Sequence, residues 1–408
     1  MTAAAAVFAR NGKIDGRTHI MKVIVVGAGV LGVSAARHLA VAGAEVLLLD
    51  RRGAGTGTSA TTFAWTNANR KHERDYHRLN VAGMEEHARL AERLAGPPSY
   101  FPSGALHWAD GASEERLVSN VERLRSLGYP AHWVTPREAV RIAGDVRIPG
   151  TVTAVAHFPG EGYVLPDLFL EALLSDARRH GAVYALGEAV ALDDRPDGVS
   201  VELAGGETVR GDRVVLAAGR WPQELAARAG IDVPMVTDTG RGAQTVGLLG
   251  YVRSPALGLR CVIHGPGLNL RPSAGGHTVV QALDLNADVD PAAPPSPDGD
   301  AAAALAHRFR ALLPGVGERP VIDLRVGFRS LPLDGRTIAG PAAAGSGVYC
   351  LVSHSGITLA PLLGRLAAAE LTTGREQDLL RAFRPTRFAG VRRQDAAVDQ
   401  RATALGDQ

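Results

Sequence analysis

Lysine is nearly missing from this chain. It occurs three times in 408 residues, at Lys13, Lys22 and Lys71, and never afterwards. Arginine supplies the remaining positive charge, and the formal net charge is only +2. That balance excludes the broad basic surface of a nucleic-acid binder. There are two cysteines, Cys261 and Cys350, and neither belongs to a CxxC pair. A structural zinc site is excluded, and no bound metal is expected. One disulfide could still form, but two reduced thiols of a cytoplasmic protein are the simpler expectation. No run of 18 apolar residues exists, so no helix spans a membrane. Residues 1–20 contain only a short apolar stretch, interrupted at Asp15. They read as a disordered extension, or as the result of a start upstream of Met21, rather than as a signal peptide.

What is present is ordinary globular composition, 46% hydrophobic and 21% charged, in a chain long enough for two domains. The segment MKVIVVGAGVLGVSAARHLAVAGAEVLLLD covers 21–50. Val23–Val26 is a short apolar strand, and Val46–Leu49 is a second. Between them, Leu31, Ala35 and Leu39 recur on one helical face. This is a βαβ unit of a parallel sheet. Gly27, Gly29 and Gly32 fall in the turn and helix start. Gly27 permits the turn, Gly29 lets backbone approach a pyrophosphate, and Gly32 lets helix and strand pack. The N–H groups around Val30 and Leu31 then face the phosphates. Asp50 lies at the end of the second strand, 18 residues after Gly32. Its carboxylate suits a ribose 2′-OH and repels a 2′-phosphate, which disfavours NADP. The GTGTSA stretch at 55–60 has no strand before it, so it is no second cradle. The cradle alone does not separate NAD from FAD; if it holds FAD, the lack of a second cradle favours an organic substrate over a nicotinamide as electron source.

Further helical patterns run over 76–94, 114–127, 166–180 and 301–313. Nucleotide-domain patterns occupy 21–93, 161–226 and 324–390. Strand-rich segments at 94–160 and 227–323 make a second domain, and 391–408 form a tail. Near the C-terminus, VSHSGITLAP leads from a loop into a long apolar helix. The N–H groups of Gly356, Ile357 and Thr358 sit at its positive end, suited to negative charge on a ring edge. A capped surface helix without ligand would give the same pattern.

With these residues in view, the chain resembles the D-amino acid oxidase superfamily of flavoproteins, which includes glycine oxidase, sarcosine oxidase and D-amino acid dehydrogenase. The likeness covers about 21–390 and rests on TSATTFAW, PGEGYVLPDLFLEALLSDARRHGA, VVLAAGRWPQELAARAGI, GFRSLPLDGRTIAG and VSHSGITLAP. It implies an α/β fold, with a Rossmann-like FAD-binding domain and an interleaved α+β substrate domain on an antiparallel sheet. It implies that Asp50 and Arg51 hold the adenosine end. Ser59, Thr61 and Thr62 would line the pyrophosphate and ribityl chain, and Ala64, Trp65 and Asn67 would run along the isoalloxazine. Val190 would meet adenine through its backbone, and Ala218, Gly219 and Trp221 would approach from the third strand. Sheet core explains Val190 equally well, and packing at the domain seam explains Trp221.

The implied activity is oxidation of an amine or amino acid to an imine by hydride transfer to flavin N5. The cofactor carries that chemistry, while the protein orients the substrate. Arg329 aligns with the family's carboxylate-binding arginine, and a guanidinium fork suits that task. His354 is placed to tune charge or accept a proton, or is a structural histidine. Arg271, Tyr251 and His264 are weaker pocket candidates. Three departures stand out. No cysteine occupies 325–334, so FAD is expected to be non-covalent. Sarcosine oxidases use a substrate-domain lysine to activate oxygen, and no lysine follows Lys71 here, which weighs against efficient use of oxygen; the acceptor is left as O2 or another compound. Ser355 and Gly356 follow His354 where glycine oxidase has a second arginine. Two other activities remain open: oxidation of a 2-hydroxy acid or alcohol on the same scaffold, and a non-catalytic flavin-binding redox sensor.

Overall fold

The computed structural model describes residues 19–253, 258–315, 320 and 322–389. The expected tail at 391–408 and most of the N-terminal extension lie outside them. The helices among these residues are α1 (Val30–Val41), α2 (Arg74–Ala91), α3 (Glu114–Ser126), α4 (Pro136–Ala143), α5 (Pro166–Arg179), α6 (Pro222–Arg228), α7 (Asp300–Leu312) and α8 (Gly356–Thr373).

The first apolar strand, Lys22–Val26, sits inside a six-stranded sheet. Arg213–Leu216 and Glu45–Asp50 flank it in parallel. Val348–Val352 and Val183–Leu186 extend the sheet in parallel, and Ile338–Pro341 closes one edge antiparallel. Both faces are covered, which is why these strands are continuously apolar. Val23, Val25, Val46 and Leu48 face α1, α5 and α8. Ile24, Val26, Leu47 and Leu49 face a three-stranded sheet, built from Ala189–Arg195, Gly198–Leu203 and Thr208–Gly211, together with α6.

Helices α1 and α8 join the two ends of the chain. Ser34 Oγ donates to the Ala360 carbonyl at 2.7 Å. Gly364 allows that approach, since a Cβ there would stand 2.7 Å from the Ser34 backbone. Helix α8 contains Pro361, whose missing N–H deprives the Ile357 carbonyl of its partner. His87 on α2 supplies one, with Nε2 2.7 Å from that oxygen.

The second unit is an eight-stranded sheet with α7 on one face. Its neighbours are antiparallel except Val262–Gly265 and Ala105–His107, which are parallel. Two expected boundaries are corrected. Strand Ile322–Phe328, divided by a boundary at 324, pairs along its whole length with Val246–Arg253 in this sheet. Val233 and Met235, expected in the second domain, pack beneath the six-stranded sheet instead. Helix α4 was not foreseen, although Thr135 and Glu138 form a capping box at its start. A small sheet of Trp65–Thr66, Gly162–Val164 and Tyr100–Phe101 lies beside the second unit.

Candidate active site

A long groove opens at the carboxyl ends of the central strands, the usual ligand position in an open α/β sheet. Gly27, Gly29, Val30, Leu31, Asp50, Arg51, Ser59, Thr62, Val190, Ala218, Gly219, Trp221, His354, Gly356 and Ile357 line it. Gly32 does not. A Cβ there would overlap the Gly27 carbonyl, so Gly32 serves the packing of α1 on the turn.

The groove starts at Asp50. One carboxylate oxygen accepts from Ala28 N at 2.8 Å, and the other from Arg52 N and Gly53 N at 2.9 and 3.0 Å. A carboxylate offers about four acceptor positions, so one is left for a ligand hydroxyl. Arg51 stacks on Trp221, its guanidinium carbon 4.3 Å from the ring centroid, and pairs with Glu188 at 3.6 Å. Val190 is the extra residue of a bulge between Ala189 and Ala191, so its backbone leaves the strand ladder at the groove wall. Its carbonyl accepts from Arg228 at 2.7 Å.

Along the middle, Ser59 Oγ accepts from Val30 N at 3.1 Å, over the start of α1. A Cβ on Gly29 would stand 3.4 Å from that hydroxyl and narrow the passage. The GTGTSA stretch forms no second cradle, but its Gly57 and Thr58 line this same groove. Thr58 Oγ1 donates to the Phe328 carbonyl at 2.7 Å, tying the N-terminal loop to the C-terminal segment.

The far end continues into an inner cavity lined by Thr61, Ala64, Trp65, Asn67, Arg329, His354 and Thr358. Ala64 is the one described non-glycine residue with positive φ, 55°, a conformation held by its carbonyl's bond from Val164 N at 3.0 Å. Trp65 Nε1 donates to the buried Glu161 carboxyl at 2.9 Å. Asn67 N meets Thr358 Oγ1 at 3.4 Å, joining this loop to α8. Arg329 Nη1 donates to the carbonyls of Gln244 and Val246, at 2.6 and 2.5 Å, so the guanidinium is fixed in direction. Burial holds its pKa below the ordinary arginine value. His354 is pushed down to about 3 by desolvation, reinforced by the Arg329 and Lys71 charges, and is neutral at physiological pH.

Three further candidates divide. Arg271 is buried and bonded to the carbonyls of Phe63, Pro272 and Thr62, so it braces the loop before Ala64. Tyr251 is not among the residues lining these cavities, and it carries the Arg325 guanidinium on its ring at 4.2 Å. His264 lines a wide vestibule of about 900 Å³ between the two units, with Arg70, His107, Asn269 and Arg336. Lys71 and Gln281 line both the vestibule and the inner cavity. Sequence reading missed this role for both. Neither belongs to a recognisable motif, and Gln281 lies 210 residues beyond Lys71.

The groove has the lining that a dinucleotide needs. The N-termini of α1 and α8 both reach it, and neither carries an acidic residue in its first turn. The family model described as FAD dependent oxidoreductase matches residues 22–370. The chain belongs to this family. It is 24% identical to the glycine oxidase of Geobacillus kaustophilus, covering 86% of this chain and 93% of the relative. It is 25% identical to the glycine oxidase of Pseudomonas aeruginosa, covering 87% and 95%. Among solved structures, the G. kaustophilus glycine oxidase superposes with a TM-score of 0.76 at 24% identity, over 91% of this chain and 99% of that one. The L-proline dehydrogenase of P. horikoshii superposes equally well, at 0.76 and 19% identity, over the same shares. Membership makes this chain an FAD-dependent oxidoreductase. Neither cysteine lines the groove, and both thiols are buried and pushed up to about 12. Among the described residues, no helix is long and apolar enough to cross a membrane.

Proposed function

We propose that this flavoenzyme oxidises the C–N bond of an amine or amino acid to an imine, which water then hydrolyses. The observation that carries the reading is the inner cavity. It continues the FAD groove at one end, and Lys71 and Gln281 form part of its wall with the vestibule. A substrate entering by the vestibule would reach the ring end of the groove and nothing else. Bound FAD supplies the two-electron acceptor. The chain's residues supply position: Arg329 takes the substrate carboxylate, and the Ala64–Asn67 loop forms the opposite wall. His354, being neutral, adds no competing charge. The start of α8 offers N–H groups to the ring edge. The vestibule is large for glycine, which favours a substrate with a sizeable side chain or N-substituent. Relatives named glycine oxidase support the amine class. The electron acceptor is oxygen or another compound.

Anaerobic addition of a panel of amines, amino acids and 2-hydroxy acids to the yellow protein tests the reading. Bleaching by amines is expected. Bleaching by hydroxy acids alone would move the reaction to the alcohol class, and bleaching by neither would favour a sensor.

A further inference from the structure

Lys71 occupies the wall shared by the vestibule and the inner cavity. It is only 3% exposed in a chain that otherwise avoids lysine. Its placement is fixed from outside. Arg123 on α3 donates to the Lys71 carbonyl at 3.1 Å and to the Asn69 carbonyl at 2.5 Å, so the segment cannot swing. The ammonium nitrogen lies 5.7 Å from the Tyr76 ring centroid. His354, which also lines the inner cavity, feels its charge.

We propose that Lys71 is the proton acceptor that turns the substrate's ammonium into the free amine as it passes from the vestibule into the inner cavity. The proposal rests on the amine-oxidation reading. In the step, one substrate N–H bond breaks and its electron pair stays on nitrogen, while an N–H bond forms at Lys71 Nζ. The substrate then holds the lone pair that an imine requires. Its C–H bond breaks with both electrons passing to FAD, so substrate is oxidised and FAD reduced. Lys71 afterwards returns its proton to solvent through the vestibule.

The surroundings suit an amine that is neutral when idle. Burial comes first, and the Arg70 guanidinium beside it comes second. Arg123 and His72 lie close by, and Glu161 on the loop before Gly162 pulls the other way. Also in the vestibule lining, Arg336 pairs with Glu73, and Asp334 pairs with Arg387. The balance brings Lys71 down to about 7. A base with that value is matched to neutral conditions.

The test is anaerobic flavin reduction against pH in the parent and in Lys71→Met, both loaded with FAD. The parent rate should rise with pH around 7. The variant should be slower by on the order of 100-fold at pH 7 and should recover at high pH, where the substrate amine is already neutral. Equal profiles would overturn the proposal, as would a normal reduction rate with only reoxidation impaired. A parent that no amine reduces would sink the functional reading and the base role together. A second readout needs no turnover. Relative to Lys71→Met, the parent's stability should climb between about 7 and the ordinary lysine value near 10.5. A flat difference between the two profiles would also overturn the proposal.

Discussion

His87 donates a hydrogen bond to the Ile357 carbonyl, the position that Pro361 leaves unpaired inside α8. The histidine is buried and neutral, its pKa pushed down to about 4 by desolvation. The contact sets the first turn of α8, where Gly356 and Ile357 line the groove. His87→Leu should leave a buried carbonyl without a partner, at a cost of about 1–3 kcal/mol. The expected result is a lower melting temperature together with weaker FAD retention. A variant with the parent's melting temperature would mean that water or a shift of α8 replaces the imidazole.

How much of this was legible beforehand depends on where the residues lie in the chain. The βαβ unit was legible because its three glycines, two strands and acid are contiguous. The α8 start was legible because a small polar loop precedes a long apolar pattern. Lys71 and Gln281 were not, because only the folding of two units against each other brings them to one wall. The strand Ile322–Phe328 was misplaced for a different reason. It alternates buried and exposed positions as an edge strand does, while its sequence runs straight into the Arg329 segment. The capping chemistry at Thr135 and Glu138 is local, and it marks the start of α4 in the sequence itself.

Asp50 carries three backbone hydrogen bonds before any ligand arrives. It therefore shapes the turn in its own right, beside the ribose contact expected of it. Asp50→Asn should be worse than the loss of one charge suggests. An amide must turn its NH2 toward Ala28 N–H or toward the Arg52 and Gly53 pair, and two donors cannot bond. FAD affinity should fall by roughly 10–100-fold, in line with lost charge-assisted bonds. Fluorescence titration of the apoprotein with FAD measures it. Unchanged affinity would place the adenosine end elsewhere.

Arg329 is held by the Gln244 and Val246 carbonyls, so it reaches the inner cavity with its direction already set. Arg329→Ala should keep FAD bound, because no groove contact is removed. The KM for a carboxylate substrate should rise by roughly 100-fold, the usual scale for truncating one member of a buried charge pair. Amines without a carboxylate should be hardly affected. A uniform loss on both substrate types would instead assign Arg329 to holding the Thr245–Gly247 backbone.

Glu161 should write its own signature into the pH dependence of stability. It accepts from Trp65, Asn69 and Tyr129, yet burial outweighs those bonds and raises its carboxyl to about 8. Between the ordinary carboxylate value near 4.5 and about 8, the folded state holds a proton that the unfolded state has lost. Its contribution therefore falls as pH rises across that window. Histidines held neutral by desolvation, such as His87 and His354, act in the opposite sense below their ordinary value of 6.5, where the unfolded chain takes up protons that they refuse. Lys71 does the same between about 7 and 10.5. The signature of Glu161 is thus read as the difference between the parent and Glu161→Gln, in which the histidines are common to both and the lost pull of Glu161 on Lys71 bends the difference in the same downward sense. That difference should decline steadily from pH 5 to 8 and level off above. Urea unfolding at half-unit steps follows it. A difference that rises or stays flat from 5 to 8 would show that Glu161 is ionised in the fold.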